Sequence, residues 1–258
     1  MPDLRTHLNQ RYRRLSAVWL KNAAAVIMLI VAAGRIIIQL GLIRLDTYTG
    51  ETLSAAMDAD PNLMTLSGVA SIIQLMRGLL PPLFAFLLVE GFVHTSSYGH
   101  YLGGVAITAV LSEFAYDYAM TGKVLEFSAQ NPMLGLAVCL VMLYGLRLAE
   151  RREMIERVII SLLIILAATF WVIVIRSECG IELVLLTAVL YCFRDKLVIK
   201  YVLGIIISLM DAFGPISFCA IIFYSGKRDL RISKYFYYGL YPAHYLIFGL
   251  IARCFLIK

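Results

Sequence analysis

The sequence predicts an all-α fold, a polytopic transmembrane helix bundle of about nine spans. Of the 258 residues 61% are hydrophobic and 16% are charged, and the mean hydropathy is +0.82. Soluble domains have roughly 45–50% apolar and about 25% charged residues. The apolar residues also fall into repeated segments, with most of the basic residues between them. We therefore expect the lipid bilayer to surround most of the chain.

Nine apolar segments follow one another and define the predicted spans. Several are shorter than the ~20 residues that cross a bilayer core as a helix, so their limits are approximate. The segments cover residues 18–43, 79–95, 101–120, 132–149, 157–176, 180–194, 197–213, 214–225 and 236–257. We expect them to form a single transmembrane domain over residues 1–258, without internal repeats or a soluble domain.

The distribution of Lys and Arg between the spans predicts the orientation of the chain. Nine alternating spans place the N-terminal tail, "RLAERREMIER", "RDKLVIK" and "SGKRDLRISK" on one side of the membrane. Cytoplasmic connections are enriched in basic residues, so residues 1–17 are predicted to be a cytoplasmic tail. The tail is polar for too long, and lacks a small-residue cleavage site, to predict a removable signal peptide.

The long connection at residues 44–78 is predicted to lie on the outer side. Its second half, "PNLMTLSGVASIIQLMRG", carries apolar residues at helical spacing, which predicts an amphipathic helix at the membrane interface.

Two classes of function are disfavoured. The five cysteines lack CxxC spacing and a His/Cys cluster, so we expect neither a metal site nor a disulfide framework. The net charge of +6 comes from loops whose basic residues membrane topology already explains, so nucleic-acid binding is not expected.

Ionisable and polar side chains inside the spans are the candidates for function, because burying a charge in hydrocarbon is costly. They lie at five places: Arg35; Glu90 with His94; Glu113 with Tyr116 and Asp117; Asp211; and His244. Taken singly, such a residue is more often a hydrogen-bonded structural group or a side chain that reaches the interface.

Two of these places bring an acid or a base near one end of a span. Glu90 and His94 lie four residues apart in "PLFAFLLVEGFVHT", so both fall on one helix face. His244 follows Pro242, whose missing N–H leaves a carbonyl unpaired one turn earlier. Imidazole can take a proton from a nucleophile and return it to a leaving group near neutral pH. These residues favour acyl transfer across the membrane or proton-coupled transport.

The chain resembles the TraX family. The similarity rests on "PLFAFLLVEGFVHT" at 82–95, "SEFAYDYA" at 112–119, "QN" at 130–131, "YSGKRD" at 224–229 and "KYFYYGLYPAH" at 234–244, together with Tyr101. These motifs occur in order over nearly the whole chain. The resemblance implies a bacterial cytoplasmic-membrane protein that moves an acetyl or other acyl group from cytoplasmic acyl-CoA to an envelope or surface substrate.

For such a reaction the sequence suggests a role for each candidate. His244 or His94 is expected to act as the base, and Glu90 to orient the imidazole. Arg35 or Arg77 is expected to neutralise a phosphate or a developing oxyanion. The acceptor-binding set comprises Glu113, Tyr116, Asp117, Asn131, Arg35 and Arg77. Lys227 and Arg228 are the candidates for the phosphates of acyl-CoA, although basic loops also set topology.

Departures from the family pattern leave the function open. Lys21 and Met28 match the first span of the family, but Val31 and Ala32 stand where Asp and His are expected, and Gly104 stands in place of an Arg. The alternatives are a catalytically degenerate relative that acts as a membrane partner or binding protein, with homo-oligomers among its assemblies, and a transporter. The acceptor could be pilin, a polysaccharide or a small amphiphile.

Overall fold

The computed structural model describes residues 15–178, 180–227 and 233–257. Within these ranges the chain is helical and forms no β-strand, so the predicted all-α fold is confirmed. Two isolated bridges join Leu15 to Tyr224 and Gln130 to Ser177. Arg228 and most of the predicted tail lie outside the described residues.

We number the α-helices in chain order. They are α1 (Ala17–Ala33), α2 (Gly50–Ala59), α3 (Pro61–Leu75), α4 (Leu80–Val93), α5 (Tyr98–Thr121), α6 (Pro132–Ala149), α7 (Met154–Val174), α8 (Gly180–Cys192), α9 (Leu197–Ser208), α10 (Ile216–Ile222) and α11 (Lys234–Ile251). Two π-helical segments, Gly34–Ile43 and Ala252–Leu256, continue α1 and α11, and short 3₁₀ turns cover Leu45–Thr47 and Met76–Leu79.

Two long helical runs come first in the described part of the chain. Helix α1 begins at Ala17, where the Ser16 hydroxyl accepts from the Trp19 N–H, and its π-helical continuation extends this run to Ile43, giving 27 residues. The second run, Pro61–Val93, has 33 residues and passes through the 3₁₀ turn at Met76–Leu79. At 1.5 Å per residue these runs are roughly 40 and 50 Å long, more than the ~30 Å of a hydrocarbon core.

Five helical runs in the described part of the chain are long and apolar enough to cross a membrane: Ala17–Ile43, Pro61–Val93, Pro132–Ala149, Met154–Val174 and Tyr235–Leu256. The predicted count of about nine spans is therefore not confirmed. The segments 197–213 and 214–225 show one reason. They contain α9 and α10 with 12 and 7 residues, about 18 and 10 Å long, and each is too short to cross alone.

Helices α9 and α10 instead form a hairpin that returns to the side from which it starts. Lys196 precedes α9 beside Arg194, and Arg194 pairs with Glu150 at the end of α6. After α10, Ser225 N–H donates to the Leu15 carbonyl at 2.8 Å, next to the start of α1. We call this side, with its loops at 94–97, 150–153, 193–196 and 224–227, the basic face.

The opposite face is held together by two loops. The Gln130 N–H donates to the Arg176 carbonyl and the Glu178 N–H donates to the Gln130 carbonyl, both at 3.1 Å. The loops after α5 and α7 are thereby joined.

Helix α3, in the predicted outer connection, packs against the π-helical end of the first run. Gly34 permits this approach, because a Cβ there would collide with Ile73. Gln74 Nε2 also donates to the Val31 carbonyl at 3.3 Å. The interfacial position of this helix stays a prediction.

The buried core lies between α1, α4, α5, α6, α8 and α11. Helices α5 and α11 approach closely at Gly249, where a Cβ would lie 2.9 Å from the Ala119 Cα. Helix α7 lies at the edge and buries only Ala168 and Val172, so its remaining apolar surface suits contact with lipid.

Candidate functional site

A cavity of about 760 Å³ opens at the basic face between α1, α4, α5 and α11. Polar side chains including Lys21, Glu90 and His94 line the part of the cavity nearest the basic face. Farther along the helices the lining includes Met28 and Tyr241. The cavity has the size of a small-molecule site, with apolar walls and a few polar groups.

Two glycines shape the walls of this large cavity by admitting tyrosine side chains. A Cβ at Gly91 would lie 2.6 Å from the Tyr101 hydroxyl, and one at Gly104 would lie 3.0 Å from the Tyr238 ring. Both tyrosines line the cavity. At Gly104, where the family pattern expects Arg, this chain therefore packs an aromatic ring.

His94 lies at the rim of the large cavity. Its Nδ1 is 2.8 Å from the Glu90 carbonyl oxygen and 3.7 Å from Oε2 of the Glu90 carboxylate. Because a carbonyl only accepts, Nδ1 carries the proton and Nε2 carries the lone pair in the neutral ring. The Glu90 backbone carbonyl thus makes the hydrogen bond to His94, its carboxylate lies farther away, and the role of Glu90 in orienting the base stays a prediction.

His244 is buried in α11, with 2% of its surface exposed, and lines neither this cavity nor the smaller one described below. Its Nδ1 donates to the Leu240 carbonyl at 3.1 Å, so Nε2 is the basic nitrogen. That nitrogen has no hydrogen-bond partner among the described residues. The imidazole packs between Tyr241 and Tyr245, with ring centroids 5.5 and 4.0 Å away.

A second cavity, of about 50 Å³, lies toward the opposite face. Arg35 and Glu178 form an ion pair in its wall. Tyr245 and Arg77 also line it. The buried Tyr116 lies near the Arg35–Glu178 pair, outside the lining. Val31 and Ala32, the two departures in the first span, are part of the lining as well.

The predicted acid cluster of α5 forms a third site, beneath the loop at 122–131. Asn131 donates from its backbone N–H at 3.2 Å, and from its side chain, to Oε2 of Glu113. Asp117 accepts the Glu126 N–H at 2.8 Å. Glu113 Oε1 remains buried without a partner in the described part of the protein. The polar partner expected for at least one carboxylate is confirmed, and none of these residues lines the two cavities.

An ion pair links two places where the helices are interrupted, the 3₁₀ turn before α4 and the turn after α9. Arg77, in the 3₁₀ turn before α4, lies 3.6 Å from the Asp211 carboxylate in the turn after α9. Gly78 allows this contact, because a Cβ there would lie 2.8 Å from the Asp211 Cβ. The Ser217 hydroxyl donates to the Leu79 carbonyl at 2.7 Å. Glu182 of α8 is buried beside this ion pair.

Lys227 lies on the basic face near the mouth of the large cavity. Its carbonyl accepts the N–H of Ala17 at 3.2 Å, and Ala17 lines the cavity. Among the described residues, no group of three or more His, Cys, Asp or Glu side chains is placed to hold a metal ion.

The family model described as "TraX protein" matches residues 62–252. The chain belongs to the TraX family. No curated protein and no solved structure matches the chain. The matched range includes Glu90, His94 and His244, whereas Lys21 and Arg35 precede it.

Sequence reasoning missed several residues of this TraX protein that the structure brings to the cavities. Glu178 was missed because it lies in a loop at the end of an apolar run, where a carboxylate suits solvent equally well. Tyr241 and Tyr245 were overlooked because aromatic residues are common in bundle cores. The available signal was the spacing of Tyr241, His244 and Tyr245, which lie within one helical turn at and just after the end of the motif at 234–244.

Proposed function

We propose that this TraX protein is an integral-membrane acyltransferase. It would take an acyl group from acyl-CoA at the basic face and pass it to a hydroxyl or amine of an envelope substrate. The observation that supports this proposal is the large cavity, which extends from a polar rim to Tyr241, the direct neighbour of His244.

The residues of the large cavity suit the parts of an acyl-CoA. Lys21 lines the mouth and Lys227 lies near it, where cationic groups attract the phosphates. Farther in, apolar side chains and tyrosine hydroxyls suit the pantetheine arm, which carries amides on an otherwise aliphatic chain. The thioester would then lie near Tyr241.

The transfer needs one base. The acceptor oxygen or nitrogen attacks the thioester carbonyl, a C–O or C–N bond forms, and the C–S bond breaks. The acceptor proton passes to Nε2 of His244 or His94 and then to the sulfur, which leaves as the free thiol of CoA. A positioned base of this kind contributes about 10²–10⁴-fold to the rate. His244 would gain access by rotation of the Tyr241 ring.

We also propose that the basic face is cytoplasmic, so that donor and acceptor meet from opposite sides. In a background without native cysteines, Ser54→Cys should react with an impermeant maleimide added to intact cells, and Arg152→Cys should not. The reverse pattern would place the large cavity on the outer side and remove cytoplasmic acyl-CoA as its ligand.

Purified protein in lipid nanodiscs provides the test of acyl transfer. Acetyl-CoA should bind saturably, and free thiol should be released when an envelope extract is added. Ala25→Trp, which fills the large cavity, should abolish both. Ala23→Trp is the matched control, because Ala23 lies on the same helix outside both linings. Binding without thiol release would favour the degenerate relative, which holds acyl-CoA without turning it over.

Transport is the second candidate, and one observation favours it. The two helix interruptions, at Met76–Leu79 and after α9, meet through Arg77 and Asp211. Interrupted helices that meet within a bundle are typical of transporter sites. In that case neither acetyl-CoA binding nor thiol release should occur.

A further inference from the structure

The large and the small cavity share part of their walls. Met28 of α1 and Phe84 of α4 line both. On α11, Tyr241 lines the large cavity and Tyr245, one turn farther on, lines the small one, with ring centroids 5.6 Å apart. The separation between the cavities is therefore built from side chains of three helices.

These side chains can reorient without a movement of the helices. Met28 is unbranched and has three rotatable bonds, which makes methionine adaptable to changes in packing. Phe84 is half-buried and lies against the core. Rotation of these two side chains would join a space that opens at the basic face to one that lies toward the opposite face.

The polar groups of the small cavity indicate what it can hold. Arg35 supplies donors and Glu178 supplies an acceptor, and the two are already paired. Arg77 adds a second cation to the lining. A hydroxyl can accept from arginine and donate to the carboxylate at the same time, whereas an ammonium group only donates and offers no acceptor to the arginine. The cavity therefore suits a neutral hydroxyl.

The size of the small cavity limits the portion of a ligand that enters it. A volume of about 50 Å³ is of the order of one or two water molecules, at roughly 30 Å³ each. A single hydroxymethyl group fills such a space, and the rest of the acceptor would remain outside it.

We infer that the two cavities are the ends of one interrupted passage, closed in this structure by Met28 and Phe84, and that the small cavity receives the acceptor's hydroxyl. The assignment of the hydroxyl rests on the proposed function, and the passage does not. We call Met28 and Phe84 the partition between the two cavities. When these two side chains reorient and the partition opens, a thioester in the large cavity faces a hydroxyl held by Arg35 and Glu178. The bonds formed and broken are those of the O-acyl transfer described above.

Cysteine accessibility tests the passage without any acyl donor. Ala32→Cys, in the small cavity, is made in the background without native cysteines and exposed to Ag⁺ in right-side-out or inside-out vesicles. The protein is then denatured and treated with maleimide, and a cysteine that Ag⁺ has already reached no longer reacts. Arg152→Cys serves as the reference cysteine on the basic face. With the partition intact, Ag⁺ should protect Ala32→Cys only from the opposite face. Combining Met28→Ala with Phe84→Ala should raise the rate from the basic face by about tenfold or more.

The control is Phe86→Ala, which removes an equally large ring from α4. Phe86 is buried, lines neither cavity and packs edge-on against Tyr224. It should leave the reaction from the basic face unchanged. Reaction of Ala32→Cys from the basic face with the partition intact, or no gain in the double variant, overturns the passage. An equal gain in Phe86→Ala does so as well, because loosened packing would then explain it.

Thiol release tests the assignment of the hydroxyl. With acetyl-CoA present, glycerol should promote release and 1,3-diaminopropane should not. Ala32→Leu, which fills the small cavity, should remove the effect of glycerol while leaving acetyl-CoA binding within about twofold. If the envelope extract promotes thiol release but glycerol does not, or if release follows the diamine, the hydroxyl assignment is wrong. If acetyl-CoA does not bind, the proposed function has failed, and the accessibility result still decides the passage.

Discussion

Two groups of polar residues inside this bundle meet the cost of burial in different ways. Beneath the loop at 122–131, Asn131 pairs with Glu113, and a backbone N–H pairs with Asp117. On α11, His244 leaves Nε2 without a hydrogen-bond partner in the described ranges, and its ring neighbours Tyr241 and Tyr245 line two different cavities. The acid cluster lines neither cavity.

We interpret the difference as one between a structural use of buried polar groups and the catalytic use proposed for His244. A polar group removed from water costs free energy unless it is hydrogen-bonded. In the acid cluster, neighbouring groups of the chain supply most of the bonds, and the result is a loop fixed to α5. Around His244 the basic nitrogen keeps its lone pair, which would be available to a substrate after the proposed rotation of the Tyr241 ring. We therefore expect substitutions in the first group to lower stability and substitutions in the second to lower activity.

The largest effect is expected at His244. His244→Ala removes the base, so the rate of thiol release from acetyl-CoA should fall by about 100-fold or more. The thermal unfolding midpoint in detergent should change little, because the lost ring packing is offset by the removal of a buried nitrogen that has no partner among the described residues. Leu246→Ala, at an exposed position of the same helix, should retain both properties. Turnover within a few-fold of the unsubstituted protein would move the base to His94 or another residue.

A substitution in the acid cluster should have the opposite signature. Asn131→Ala removes the N-cap of α6, worth about 1 kcal/mol, and the side-chain partner of Glu113. A hydrogen bond to a charged group is worth roughly 1.5–3 kcal/mol, so together with the lost cap we expect a loss of about 2–4 kcal/mol of unfolding free energy. Reversible unfolding in mixed micelles measures it.

Asn62→Ala is the matched control for Asn131→Ala. Asn62 is exposed at the start of α3, and surface substitutions usually change stability by about 0.5 kcal/mol or less. Similar losses for the two variants would show that the buried cluster is not a special source of stability.

The smallest effect is expected at an ion pair outside the membrane-spanning helices. Partial burial raises the pKa of Glu150, but the Arg194 guanidinium at 2.6 Å outweighs this and holds the pKa below the ordinary value of 4.5. The pair therefore contributes stability above pH 4.5, and this contribution is lost as the pH falls through the folded-state pKa. Because both side chains are partly exposed, we expect under ~1 kcal/mol.

The measurement for Glu150 is the unfolding midpoint as a function of pH. Glu150→Gln should unfold at a lower temperature than the unsubstituted protein at pH 7, and the difference should shrink and disappear as the pH falls below 4.5 through the folded-state pKa. Glu153→Gln, at an exposed position of the same loop, should show no such difference. A difference that persists at low pH would mean that packing, rather than charge, accounts for the effect.

Much of the fold could be predicted from sequence because it depends on local properties. Composition and apolar segments indicate an all-α membrane protein, and Glu113 required a polar partner whatever the tertiary arrangement. The span count could not be settled in this way. A run such as 197–225 has the hydropathy of two spans, and only the turn after α9, packed against Gly78 and Arg77, makes it a short hairpin. Hydropathy reports whether a segment can be buried in lipid or protein. It does not report whether the segment crosses the bilayer as one helix or turns back partway.

The sequence by itself determined the class of this protein, its family and the residues able to carry protons. It could do so because burial of apolar side chains and the chemistry of ionisable groups belong to each residue alone. Only the tertiary structure decided which of them meet. Glu178 reaches Arg35 from a loop 143 residues away in the chain, and Met28 and Phe84, from different helices, line the same two cavities. Such contacts depend on how helices pack, and side chains far apart in sequence become neighbours only after the bundle has formed.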